Sequence, residues 1–231
     1  MCVKLARLFI ARGSTIMPDK RLKIWESLFR RALTVLDSAT LAGMPDDWSF
    51  GGGTVLMLKH MHRFSKDVDI FLPGPEYLQF LSPRLNDAAD EGSTGYAEQF
   101  NSVKIYYPEG EIDYVAASPL TDTPFEHQVL LERTVKVETP LEIVAKKIKF
   151  RAADFKARDI YDLALVLQRE PTTIPFLVKF LREQQPILQK RFKDWDVILR
   201  EDFELIDVIN FNPSYDDCLH LVESVSGIQL R

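Results

Sequence analysis

The pentapeptide Asp67-Val68-Asp69-Ile70-Phe71 constrains this chain more than any other stretch. Side chains alternate across a strand, so Asp67 and Asp69 project to one side while Val68 and Ile70 enter a core. Two carboxylates this close repel, and an ionised buried pair is costly without a compensating cation. Hard oxygen ligands at this spacing suit Mg²⁺ carrying a nucleoside triphosphate. Upstream, Phe50-Gly51-Gly52-Gly53-Thr54 reads as a short strand entering a turn. Its glycines let backbone approach a phosphate, and the helix that follows offers free amides to an anion. This is not the GxxxxGK[ST] spacing of a P-loop. Asp113, between Ile112 and Tyr114 in a later β-rich run, can face the pair from a neighbouring strand. Together these elements form an arrangement suited to two-metal nucleotidyl transfer.

A chain of 231 residues, 46% of them hydrophobic, can bury one core or two closely packed ones. Its 34 acidic and 29 basic residues leave a net charge of -5, so nucleic acid would have to be met by a local patch. Cys2 and Cys218 match no zinc or disulfide spacing, which fits a reducing cytoplasm. No apolar run approaches the roughly 20 residues of a membrane span. Arg7 and Arg12 interrupt a signal-like start, and Met17-Pro18-Asp19 reads equally well as the beginning. Residues 1–19 are therefore expected as an extension, 20–139 as a core with a leading helix, and 140–231 as a helical region.

Leu28, Phe29, Ala32, Leu33 and Leu36 give that leading helix an apolar stripe. The pattern predicts a second helix over 76–89 and a hairpin of 103–107 with 111–116 around Pro108-Glu109-Gly110. A β-rich run follows over 129–137, then a helix headed by Pro140 and another from Arg158 to about Leu167. Beyond Pro171 only helical patterns recur, such as Cys218, Leu221, Val222 and Val225. His60 and His62 are read as solvent-exposed basic residues, since i and i+2 on a helix do not share a face.

Gly52-Gly53-Thr54, the run from His62 through Arg63, Ser65, Asp67 and Asp69 to Phe71, and Lys146-Lys147-Ile148 through Arg151 to Arg158-Asp159-Ile160-Tyr161-Asp162-Leu163 resemble one known family. It is the AbiEii/AbiGii toxin family of nucleotidyltransferases, in the polymerase β superfamily, and the likeness spans roughly 50–167. The resemblance implies an α/β (α+β) fold: a small mixed sheet packed against a helical carboxy-terminal half. It implies that Gly52, Gly53 and Thr54 hold nucleotide phosphates, with Arg63 and Ser65 beside them, and that Asp67 and Asp69 bind Mg²⁺. Asp113 would be the third carboxylate, with Glu111 on the same strand face as the alternative. Lys147, with Lys146 as competitor, would neutralise the triphosphate, and Asp162 would be the downstream acid. Asp159 and Asp162 share a helix face and could orient Lys147.

The implied activity moves a nucleoside monophosphate from a nucleoside triphosphate to RNA, tRNA included, or to protein, using one or two Mg²⁺. The resemblance also implies a toxin with a separate antitoxin, in a toxin-antitoxin or phage-defence pair, acting away from membranes. A degenerate nucleotide- or partner-binding protein and a metal-dependent phosphodiesterase are the alternatives.

Overall fold

A computed structural model describes residues 20–230; the extension at 1–19, with Cys2 and both candidate starts, lies outside the described residues. Helix α1 (Ile24–Leu41) buries the predicted stripe. Strand β1 (Ser49–Gly51) runs directly into α2 (Gly52–His60), and β2 (Val68–Leu72) follows. After α3 (Asp87–Asp90) come β3 (Gly95–Gln99), β4 (Ser102–Tyr107), β5 (Gly110–Ala116), β6 (Phe125–Leu130) and β7 (Arg133–Glu138). Helices α4 (Pro140–Arg151), α5 (Ala157–Arg169), α6 (Ile174–Glu204) and α7 (Tyr215–Ser226) complete the described chain.

Among the described residues the seven strands form one mixed sheet in the order β3-β4-β5-β2-β1-β7-β6. β2 lies parallel to β5 and β1 parallel to β7, while the remaining pairs are antiparallel. Alternation along β2 sends Val68, Ile70 and Leu72 into the core. Phe50 of β1 stacks on Phe29 of α1 at 4.5 Å between ring centroids, so α1 covers that apolar face. On the other side, Lys146 of α4 lies 4.1 Å from the centroid of the Phe71 ring. Asp69, which shares the Phe71 side of β2, therefore faces the helices that follow the sheet.

Two predicted elements form differently. The 76–89 helix is a 3₁₀ segment, Pro75–Leu81, followed by short α3. Pro83 lacks an amide, and the Asn86 side chain accepts from the Ala88 amide, restarting the chain as a new helix. The 129–137 run is a hairpin, β6 with β7, turning at Leu131 and Glu132 with φ of 47° and 69°. Strand β3 was not anticipated. The 103–107 and 111–116 hairpin forms as β4 and β5.

Thr139 caps α4, accepting from the Glu142 amide at 3.3 Å, and Pro140 occupies its first turn. The segment after α6 returns to the connection between α2 and β2. There Phe64 N donates to the Asp207 carbonyl and Ile209 N to the His62 carbonyl, both at 2.8 Å. Among the described residues no helix is long and apolar enough to cross a membrane.

Candidate active site

The β1–α2 junction dictates the site. Gly52 adopts φ +74°, and a Cβ there would collide with the Asp69 carboxylate, 2.5 Å from its Cγ. Only glycine allows this left-handed turn and the close approach together. A Cβ at Gly53 would lie 2.5 Å from Arg63 Nη2 and 3.0 Å from Ser65 Oγ. The first turn of α2 thus sits against Asp69 on one side and the 63–65 loop on the other. Thr54 is fully buried; its hydroxyl donates to the Asp67 carbonyl at 2.5 Å and lies 3.1 Å from Ser65 Oγ. Its side chain thereby anchors the approach to β2. β2 begins at Val68, so Ser65 belongs to this loop, and of the two aspartates expected on the strand only Asp69 lies within it.

Asp69 is the register partner of Asp113 across the parallel β2–β5 pair. Asp67, just before the strand, accepts from the Glu111 amide at 3.2 Å. Glu111 turns its carboxylate to Lys104, 2.7 Å away, while Lys104 stands 3.3 Å from Asp113 Oδ2. Between the two candidate third acids, the structure sets Asp113 opposite Asp69. Burial raises the pKa of Asp113, the Asp69 charge adds to the rise, and Lys104 opposes it. Burial likewise raises Asp67, with the charges of Glu111 and Asp69 adding.

Asp113 Oδ1 is buried without a hydrogen-bond partner. An orphaned carboxylate oxygen beside a second carboxylate is an environment that a cation would relieve. Among the described residues no three acidic, histidine or cysteine side chains form a ready-made metal cage. Mg²⁺ rarely uses one: it takes one or two carboxylates and completes its shell with water and substrate phosphates. Asp69 and Asp113 fit that role.

The two lysines of α4 diverge. Lys146 pairs with Glu138 at 2.6 Å and Glu142 at 3.4 Å. Lys147 donates to Asp159 at 2.5 Å and Asp162 at 2.8 Å, so the helix-face expectation for this trio holds. Both carboxylates are fully buried, unlike a surface ion-pair cluster. Asp162 also accepts from Arg63 Nε and Nη2, each at 2.8 Å, and lies 2.9 Å from His62 Nε2. Asp162 is therefore the hub of a buried network. Despite its burial, Arg63, Lys147 and His62 hold its carboxyl well below the usual range. Arg63, expected beside the phosphates, spends its guanidinium on Asp162 and on the Phe64 carbonyl.

His62 is not the exposed residue expected. It is completely buried and stacks on Tyr161 at 5.7 Å, because the chain leaves α2 at left-handed Met61 and turns inward. Burial lowers its pKa from 6.5. His60 is largely covered too, with Nε2 3.2 Å from Glu170.

Sequence reasoning missed Lys104, beside Asp113, and Glu138, the partner of Lys146. The first was accessible: a turn pairing Tyr107 with Gly110 must set Lys104 opposite Asp113. Glu138 ends β7, one residue beyond the run that was recognised.

The family model described as nucleotidyl transferase AbiEii toxin, Type IV TA system, matches residues 34–211. The chain belongs to this AbiEii family. It is accordingly a nucleotidyl transferase, and the expected mixed α/β fold, a mixed sheet with a helical carboxy-terminal half, holds. Among solved structures, a protein from H. pylori described as a nucleotidyltransferase is 17% identical, with a TM-score of 0.49 over 91% of this chain and 96% of that one. JHP933 from Helicobacter pylori is 18% identical, with a TM-score of 0.49 over 91% and 93%. ANT(2")-Ia in complex with adenylyl-2"-tobramycin is 13% identical, with a TM-score of 0.45 over 67% and 98%. These likenesses are distant, and the family match carries the assignment. A search of curated proteins finds no match.

Proposed function

We propose that this AbiEii-family chain moves a nucleoside monophosphate from a nucleoside triphosphate onto an RNA or protein acceptor, as a cytoplasmic toxin paired with a separate antitoxin. The observation that carries the chemistry is the register pairing of Asp69 with Asp113 beside the Gly52 turn. Asp69 and Asp113 would hold Mg²⁺, which when bound would neutralise triphosphate charge and favour ionisation of the attacking hydroxyl. Asp67 supports the pair through its bond to the Glu111 amide, and the α2 amides receive phosphate oxygens. The antitoxin partner follows from the family's description as a toxin-antitoxin system. In this reading residues 20–139 carry the sheet acids, and 140–231 form the helical region that carries Lys147 and Asp162.

The test incubates the protein with each labelled nucleoside triphosphate, Mg²⁺ and total cellular RNA or protein, beside Asp69→Ala. Label on one acceptor class, absent with the folded variant, is the expected outcome. Equal labelling by Asp69→Ala overturns the assignment, and label release without attachment to an acceptor points to a phosphodiesterase.

A further inference from the structure

We propose that Arg151, rather than Lys147, is the side-chain cation that grips the triphosphate and its departing pyrophosphate. The inference rests on the nucleotidyl-transfer reading above and reassigns the residue that serves it. Lys147 is committed elsewhere. Its side chain is 9% exposed and its ammonium bridges two carboxylates that are wholly buried. Swinging it to a phosphate would strip Asp159 and Asp162 of a counter-charge in a low-dielectric setting.

The charges around it balance. Asp159 and Asp162 contribute two negative charges, Lys147 and Arg63 two positive ones, and His62, lowered by burial, enters neutral. Arg151 therefore brings a positive charge that the buried cluster does not need. It lies one turn beyond Lys147 on α4, its side chain is 38% exposed, and its contact with Asp159 is a loose 3.8 Å. Of the carboxylates whose charge reaches it, Asp159 is the strongest, followed by Asp69, Asp113 and exposed Asp154, and α4 lies over the sheet face that carries Asp69, with Lys146 on the Phe71 ring. Asp154 in turn has Arg191 at 3.6 Å and Lys156 at 3.8 Å.

A guanidinium so placed matches the requirement of the reaction. The acceptor oxygen bonds to the α-phosphorus as the bond to the bridging oxygen breaks. That bond's electrons leave with pyrophosphate, and the acceptor's proton passes to solvent. Negative charge thus grows on the leaving group, and a planar fork of donors can take two of its oxygens at once. A point-like ammonium sealed between carboxylates cannot.

The experiment measures binding of inorganic tripolyphosphate with Mg²⁺ by calorimetry, and steady-state transfer, for the full chain and three variants. Arg151→Gln is expected to weaken tripolyphosphate binding about 10- to 100-fold, the range for losing a charge-assisted contact. Arg151→Lys should recover only part, because it restores charge without the fork. Lys149→Gln removes an exposed cation from the same turn and should bind like wild type. Melting temperature should stay unchanged in Arg151→Gln, in contrast to any Lys147 substitution. Undiminished tripolyphosphate binding by Arg151→Gln overturns the inference while wild-type transfer stands. Failure of the wild-type protein both to bind tripolyphosphate and to transfer overturns the two readings together.

Discussion

Replacing Asp162 with alanine tests whether this residue is part of the chemistry or of the frame that carries it. The substitution removes a fully buried carboxylate that accepts from Arg63 twice and from Lys147, and that contacts His62. Lys147 keeps Asp159, so one buried guanidinium is left without a carboxylate. Breaking a buried pair from one side costs about 3–5 kcal/mol, a large part of the roughly 5–15 kcal/mol that holds a domain folded. The melting temperature should fall by roughly 10 °C. Urea unfolding followed by tryptophan fluorescence measures the change, Trp25 and Trp48 being nearly buried reporters. The double variant Asp162→Leu with Arg63→Met removes both charges and should recover most of the loss. Asp162 holds its proton only far below the usual carboxylate range. Its contribution is therefore complete above the unfolded pKa of about 3.9 and is lost only as pH falls through the lower folded value. Transfer by Asp162→Ala, measured where the variant remains folded, should persist in part, whereas Asp69→Ala should abolish transfer with little change in melting. A cost below about 1 kcal/mol, or a double variant no better than the single one, refutes the account of Asp162 as a buried hub.

Gly52→Ala should abolish transfer and cost about 1–2 kcal/mol, because it forces a side chain into the left-handed region and against Asp69; labelled transfer and a thermal melt read both. Thr54→Val leaves the Asp67 carbonyl short of a buried donor and should cost about 1–2 kcal/mol by urea unfolding. Burial raises the Glu138 carboxyl to about 7, so it favours the folded state while protonated. That stability is complete below the unfolded pKa near 4.3 and lost as pH rises through about 7. Measured against Glu138→Gln, wild-type stability should decline by about 3–4 kcal/mol between pH 4 and pH 8.

Local rules made much of this molecule legible. Period-two alternation set Asp69 and the β2 core correctly, and the helical stripe from Leu28 to Leu36 marked the face of α1 that lies on the sheet. The spacing of Asp159 and Asp162 foretold their common grip on Lys147. What stayed hidden depends on contacts made far along the chain. Nothing local to His62 and Arg63 shows that they turn inward to a carboxylate about a hundred residues later. The 76–89 stretch misled because its apolar spacing is helical while Pro83 and the Asn86 cap divide it. Thr54 was assigned by motif to phosphate, yet its hydroxyl is spent on the backbone beneath the turn.

The return of the 207–211 segment to the loop at 62–64 has a consequence for how the protein is made. The Phe64 and Ile209 amide bonds, and the Tyr161 hydroxyl reaching the His62 and Phe211 carbonyls, tie the floor of the glycine turn to the chain's last quarter. At ribosomal speeds of about 5–20 residues per second, Phe211 follows Phe64 by roughly seven to thirty seconds. Through that interval the sheet acids can exist without the support that fixes the turn above them. A nascent chain of this kind is expected to lack transfer activity until the 207–211 segment has emerged and docked on the 62–64 loop.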